Sequence, residues 1–588
     1  MNGLLLAWVM LIAQSRGAVS PDWQTTYERS GYVQTGRYAE AVDYCRKLAS
    51  ASPYAHLLHW GVSPEGRPLI ALVMSKDRAF TPEAARKSPK PLVIINNGIH
   101  SGEIEGKDAG LMLARNILVT KTEASLLDHV NLLFIPIFSV DAHERFGPYN
   151  RINQNGPAEM GWRSTSTNLN LNRDWMKADA EEMKAMLRLL HTWKPDFFFD
   201  NHTTDGADWQ YASQLAVPTA QTQGAAQSLW SEQMLAVVLP HVEQDGFLTA
   251  PYFDFVDYNR LDRGLSVSDF GPRYSTGYLA TLNRPSMLVE THMLKPYKVR
   301  VEATYSLNKR VIAYMGETAD ALKAANRAAD AAETRMKPGD KVVLSVRTTD
   351  ATRPFTFRGL EFTPFQSDVS GATTPAWSRK PQDTPTTLQD QYAPTLTLPA
   401  PAAYAIPPQW KEIIALLDLH GLKSFRLKQP LVSAFDTYRF DAVTWPRAPF
   451  ESRFQPRFTA VKIREERMLP AGTVVVPTNQ VGAKLLMQLL EPEAQDSLVH
   501  WGLFNTIFEQ KEYFEDYAME PIARKMLAEN PALKAEFAER LKDPQFAASL
   551  RARLEFFYLH SPYADAHLNK YPIVLLTTEQ RDAAEHHK

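Results

Sequence analysis

The chain is 588 residues long, with 44% hydrophobic and 22% charged residues and a formal net charge of -2. This is globular composition, long enough for two or more domains, and a balanced charge without basic runs excludes an electrostatic nucleic-acid surface. A single cysteine, Cys45, excludes an internal disulfide and a thiolate metal site.

Taken in order, Met1 to Ala13 holds a short apolar core followed by Gln14 to Ala18. This fits a secretory signal over residues 1–20, too short for a membrane span and lacking a basic residue ahead of its core, and it predicts a periplasmic or secreted protein. No later stretch is apolar enough to span a bilayer. Residues 21 to about 60 read as helical, with Cys45 as a small core residue in the amphipathic run Tyr38 to Leu48. A turn cluster, Gly61 to Pro68, leads into the strand Leu69–Met74, and Pro91–Ile95 is a second buried strand, closed by Asn96, Asn97 and Gly98. Ile104, Leu111, Leu113, Ile117 and Leu118 then recur at helical spacing, so a helix is expected from Glu103. Val130–Ile137 is another strand.

The polar segment from Ser139 to Lys177 is long for a connection, and loops of that length usually carry function. After a helix marked by Met183, Met186, Leu187 and Leu190 come the strands Pro195–Asp200 and, much later, Ser286–Val289. A helix with Leu307, Val311, Met315 and Leu322 closes this unit. The order of elements predicts an α/β fold with a mixed, largely parallel open sheet flanked by helices. The expected organisation is a catalytic unit over residues 21–325, a helical linker over 326–341 and a C-terminal accessory region over 342–588. That region reads as β-rich first, then as an extended connection with eight prolines between Pro375 and Pro408, and helical at its end.

His100 and Glu103 follow directly on the strand Pro91–Ile95. A His-x-x-Glu pair is expected about once by chance in a chain with 15 histidines, so its weight comes from context. His202 stands just past the strand Pro195–Asp200, and Glu290 just past Ser286–Val289. In open parallel sheets ligands bind outside the carboxyl ends of the strands, so these four residues are expected together in space. Two imidazoles and a carboxylate suit zinc with a fourth position left for water. Glu290 is then the candidate general acid/base, and Arg163 the cation for a tetrahedral oxyanion. Arg173, beside Asn172, offers a planar fork for a free carboxylate.

Taken in that order, from His-x-x-Glu through Trp162-Arg163 and Asn172-Arg173 to His202 and Glu290, the residues resemble the zinc metallocarboxypeptidase family, M14, of the carboxypeptidase A type, over about residues 25 to 325. The resemblance implies one zinc per chain on His100, Glu103 and His202. It also implies substrate contacts by Arg163, Asn172 and Arg173, Glu290 as general acid/base, and an active-site tyrosine that would be Tyr274 or Tyr278. The substrate it implies is a peptide, or a cell-wall stem peptide, with a free C-terminal carboxylate. Two positions depart from the family pattern. Asn170 stands where many members carry an Asp that orients the first histidine, and Gly102 where pancreatic-type members carry an Arg. The same residues also admit an aspartoacylase-like deacylase of N-acyl amino acids, or a catalytically silent peptide-binding module whose C-terminal region does the work.

Overall fold

The computed structural model describes residues 19–204, 206–257 and 260–588; the expected signal segment lies for the most part outside them. Eight strands form the main sheet: β1 (Ala55–Val62), β2 (Pro68–Met74), β3 (Leu92–Asn97), β4 (Asn131–Ile135), β5 (Phe197–Thr204), β6 (Ser213–Ala216), β7 (Thr249–Pro251) and β8 (Ser286–His292). Their spatial order is β1-β2-β4-β3-β5-β8-β6-β7. The central strands β4, β3, β5 and β8 run parallel, while β1, β2 and β6 pair antiparallel toward the margins. The sheet is therefore mixed, with a parallel centre, as expected.

Successive side chains on a strand face opposite sides, and here each side has its own core. Val93, Ile95, Phe197, Phe199 and Val289 pack with the helices α1 (Tyr38–Ala51) and α2 (Glu105–Leu118), and with residues of a long helix, Tyr297–Glu317. Cys45 is buried in this core. Leu92, Ile94 and Phe198 pack on the other side with α3 (Glu181–Trp193). That second core is shared: Tyr404, Ile413, Leu417, Tyr438, Leu486 and Trp501 of the C-terminal region belong to it. The C-terminal region is thus seated on one face of the sheet.

Three expectations change. Residues 55–62 are an edge strand, β1, and not the end of a helix; its mixture of buried and half-exposed positions mimics an amphipathic helix in the sequence. The stretch expected as a helical linker is helical as far as Thr334, the end of a helix that begins at Ala319, but it is not a free connection: it buries Asn326 and Glu333. Its Glu333 carboxylate accepts the Gly482 backbone N–H at 2.7 Å. The proline-rich stretch contains a 17-residue strand, Thr373–Gln389, paired antiparallel with Arg353–Gln366. Pro375, Pro381 and Pro385 lie where that strand has a partner on one side only, the kind of position in which a sheet tolerates proline. Farther on, a six-stranded sheet carries a long hairpin formed by Leu431–Thr444 and Arg457–Leu469. Among the described residues no helix is long and apolar enough to cross a membrane.

Close packing decides where the loop after β3 can run. A Cβ on Gly106 of α2 would lie 2.2 Å from Asn97 Oδ1 and 2.7 Å from Asn201 Cβ, so only glycine lets the helix come this near the ends of β3 and β5.

Glu182, in the first turn of α3, is fully buried, and neither carboxylate oxygen has a hydrogen-bond partner among the described residues. Burial, helped by Asp141 and Asp174, pushes its carboxyl up to about 7. Between the ordinary glutamate value and about 7 the folded chain keeps a proton that the unfolded chain has lost, so this group's contribution to stability falls as pH rises through that window. Glu182→Gln is expected to melt above the parent at about pH 8 and level with it at about pH 4.5, as read by thermal denaturation.

Candidate metal centre

Strand β3 ends at Asn97, and Gly98, at φ 65°, turns the chain out of the sheet. The Ser101 hydroxyl donates to Ser139 O at 2.6 Å and to Gly98 O at 3.1 Å, while its N–H donates to Trp162 O at 3.0 Å. His100 and Glu103 are thus presented by a loop pinned on two sides, just before α2 begins at Glu105. His202 lies on β5 and Glu290 on β8, directly opposite each other in the parallel register. Because β3, β5 and β8 run the same way, all four residues emerge at one edge of the sheet.

The donor atoms of His100, Glu103 and His202 lie within 4.8 Å of one another, and all three residues are buried. Glu103 Oε2 is 3.2 Å from His100 Nδ1 and 2.9 Å from His202 Nδ1. The far nitrogens are held from behind. His100 Nε2 lies 2.9 Å from Asn170 Oδ1, and His202 Nε2 lies 3.0 Å from Asp200 Oδ2. Asp200 is itself fixed by Asn96, whose amide donates to Oδ1 at 2.9 Å. At His100, giving the Nε2 proton to Asn170 turns the Nδ1 lone pair inward, while at His202 the Asp200 carboxylate stands beside Nε2 as a charge partner without a hydrogen bond. Two nitrogens with one carboxylate oxygen are a zinc-type donor set. The residues present therefore fit the metal.

Electrostatics follow the same geometry. Burial pushes Glu103 up, but the His100 and Arg151 charges and the close approach of both imidazole Nδ1 atoms outweigh it and hold the carboxyl well below its ordinary value. Burial lowers His202, yet the Asp200 carboxylate overrides it and holds the imidazole well above its ordinary value. Glu290 is driven the other way. Burial, with the nearby charges of Glu103 and Asp200, raises its carboxyl to about 8 in spite of His202 and Arg151.

Arg163 reaches the centre: its Nη1 lies 3.1 Å from Glu103 Oε1. Arg151, which sequence reasoning missed, lies closer still, at 2.7 Å from the same oxygen. Its side chain is 12% exposed against 46% for Arg163. Asn172 Oδ1 accepts the Ser275 N–H at 3.2 Å, and Arg173 Nη1 donates to Asn172 O at 2.8 Å. The Arg173 guanidinium lies 4.3 Å from the Tyr274 ring centre. Tyr278 is not brought into the group: it is fully buried, its hydroxyl 2.8 Å from His420 Nδ1 and 3.2 Å from His191 Nε2. Asp200 was also missed, although its place two residues before His202 puts both on one face of the strand.

Asp200→Asn, which keeps the shape and removes the charge behind His202, is expected to weaken zinc binding by about 10- to 100-fold in a chelator competition. A variant that binds zinc as tightly as the parent would remove Asp200 from this role.

Residues 41–230 match the family model described as zinc carboxypeptidase, Peptidase_M14, a span that includes His100, Glu103, Arg163, Asn172, Arg173 and His202. Carboxypeptidase 2 of Trichophyton rubrum is 22% identical over 482 residues, covering 78% of this chain and 82% of its own. Carboxypeptidase 2 of Trichophyton equinum is 24% identical over 465 residues, covering 75% and 79%. A match over 78% of the chain necessarily runs into the C-terminal region. Among solved structures, carboxypeptidase A from Helicoverpa armigera shares 15% identity over 50% of this chain and 74% of that chain, with a TM-score of 0.35. On the family match and the named relatives, this chain is similar over residues 41–230 to the zinc carboxypeptidase family, Peptidase_M14, and is an enzyme of the zinc-hydrolase type.

Proposed function

We propose that this enzyme cleaves the C-terminal peptide bond of peptides ending in a free carboxylate, with zinc held by His100, Glu103 and His202. The observation that carries the reading is the Arg173 guanidinium. It stands three residues after the Asn170 that holds His100, and among the described residues it makes no ion pair with a carboxylate. A planar fork without a carboxylate of its own is suited to grip one from a substrate, two bonds at a time. The relatives named carboxypeptidase 2 support the same activity.

Bound zinc supplies Lewis acidity, which acidifies water and polarises the scissile carbonyl. The protein's own residues do the rest. The Tyr274 ring covers one face of Arg173, so the fork meets the substrate edge-on, and Asn172 ties this turn to Ser275. Glu290 accepts a proton from the attacking water as the new C–O bond forms. It then gives that proton to the leaving nitrogen as the C–N bond breaks, which releases a shortened peptide and a free amino acid. Arg163 and Arg151 place cations where negative charge gathers on the carbonyl oxygen, and Arg163, the more exposed, has the room to turn toward it.

The test pairs one peptide carrying a free C-terminus with its C-terminally amidated form, followed by mass spectrometry. Loss of single residues from the free form alone is expected. Glu290→Gln is expected to lower kcat by about 10²- to 10⁴-fold with the zinc content unchanged. Equal cleavage of both peptides, or a parental rate in the Gln variant, would contradict the proposal.

A further inference from the structure

The hairpin formed by Leu431–Thr444 and Arg457–Leu469 brings the turn Phe450–Arg453 from far along the chain to the backbone of Asn170, the residue behind His100. Phe450 N–H donates to Arg453 O at 2.9 Å and Arg453 N–H to Phe450 O at 3.0 Å, closing a two-residue turn with Glu451 at φ 47° and Ser452 at φ 66°. Positive φ at both central positions belongs to Asn-Gly or Gly-Gly turns; Glu-Ser there is a local cost that something else must offset.

The Glu451 side chain supplies a reason. Its Oε2 accepts the backbone N–H of Asn170 at 2.9 Å across 281 residues of sequence. Asn170 is the junction of the site: its Oδ1 lies 2.9 Å from His100 Nε2 and accepts the Asn172 N–H at 2.9 Å, which shapes the turn that carries Arg173. The turn is fastened on both flanks. Arg453 grips Asp179 with Nε at 3.0 Å and Nη2 at 2.5 Å. Phe450 stacks on Trp501 at 6.1 Å and 17°, and Trp501 lies 5.1 Å from the guanidinium of Arg273. Arg273 Nε is 2.5 Å from Asp496 Oδ1, and Arg273 directly precedes the Tyr274 that backs Arg173. Both supports of Arg173, Asn170 on one side and Tyr274 on the other, are therefore held by residues of the C-terminal region.

We propose that Glu451 is a positioning residue of the catalytic centre, and that through it the C-terminal region is an obligatory part of the site. Its carboxylate holds Asn170 so that one amide oxygen can orient the His100 imidazole and the Arg173 turn together. This deepens the carboxypeptidase reading and rests on it for its kinetic consequence, while the effect on metal binding stands apart.

Glu451→Ala removes the acceptor; Glu451→Gln keeps an amide oxygen in its place. In the full chain, the Ala variant is expected to bind zinc about 10- to 100-fold more weakly by chelator competition, and to raise KM for a free-ended peptide by at least a similar factor. The Gln variant is expected to recover most of both losses, which a purely structural defect would not. Parental zinc affinity and KM in Glu451→Ala, or a Gln variant as impaired as the Ala variant, would overturn the proposal. If the parent cleaves no peptide, the carboxypeptidase reading fails, and the zinc series still decides the role of Glu451.

Discussion

The site is organised around one buried charge. The Glu103 carboxylate lies under the edge of the sheet, where an isolated anion would be far too costly to keep, and every donor near it serves to make it tolerable. One oxygen faces the two imidazoles and the other faces Arg151 and Arg163. Behind each imidazole stands a partner, Asn170 as hydrogen-bond acceptor for His100 and the Asp200 carboxylate as charge partner for His202. The arrangement suits a divalent cation at the inward nitrogens, because the ligands are oriented before any ion arrives. It also accounts for the opposite behaviour of Glu290, which shares the same low-dielectric edge, where burial and the carboxylates of Glu103 and Asp200 raise its carboxyl.

The precision of this edge comes from the two cores of the sheet. On one side α1 and α2 press against β3 and β5, close enough that Gly106 cannot carry a side chain. On the other, α3 and the C-terminal region share a single apolar core. A region read from sequence as an accessory is therefore packed into the scaffold of the site. The turn at Phe450–Arg453 follows from that packing: a hairpin rooted in the shared core can hold a loop of the catalytic unit in place.

Much of the site is legible in the sequence because it depends on local signals. A β-branched run ended by Asn96, Asn97 and Gly98 marks a strand end, and His100 and Glu103 follow it. The apolar runs before His202 and Glu290 do the same. What escapes depends on partners distant in the chain. Nothing around Arg151 distinguishes it from a solvated loop arginine until the fold sets it beside Glu103. Glu451 is a turn residue with no pattern about it until Asn170 is opposite. Tyr278 looked as suitable as Tyr274, and only the burial of its ring beside His191 and His420 separates them. The edge strand β1 and the proline-bearing strand Thr373–Gln389 escape for a different reason: their neighbours on one side alone permit patterns that a central strand would not.

The central claim is that His100, Glu103 and His202 converge on one zinc ion. X-ray absorption at the zinc edge of the loaded full chain tests it most directly. The account predicts one zinc per chain with two imidazole nitrogens and carboxylate oxygen at about 2.0–2.2 Å, no sulfur, and one imidazole fewer in His202→Ala. A sulfur ligand, or an imidazole count unchanged by that substitution, would contradict it.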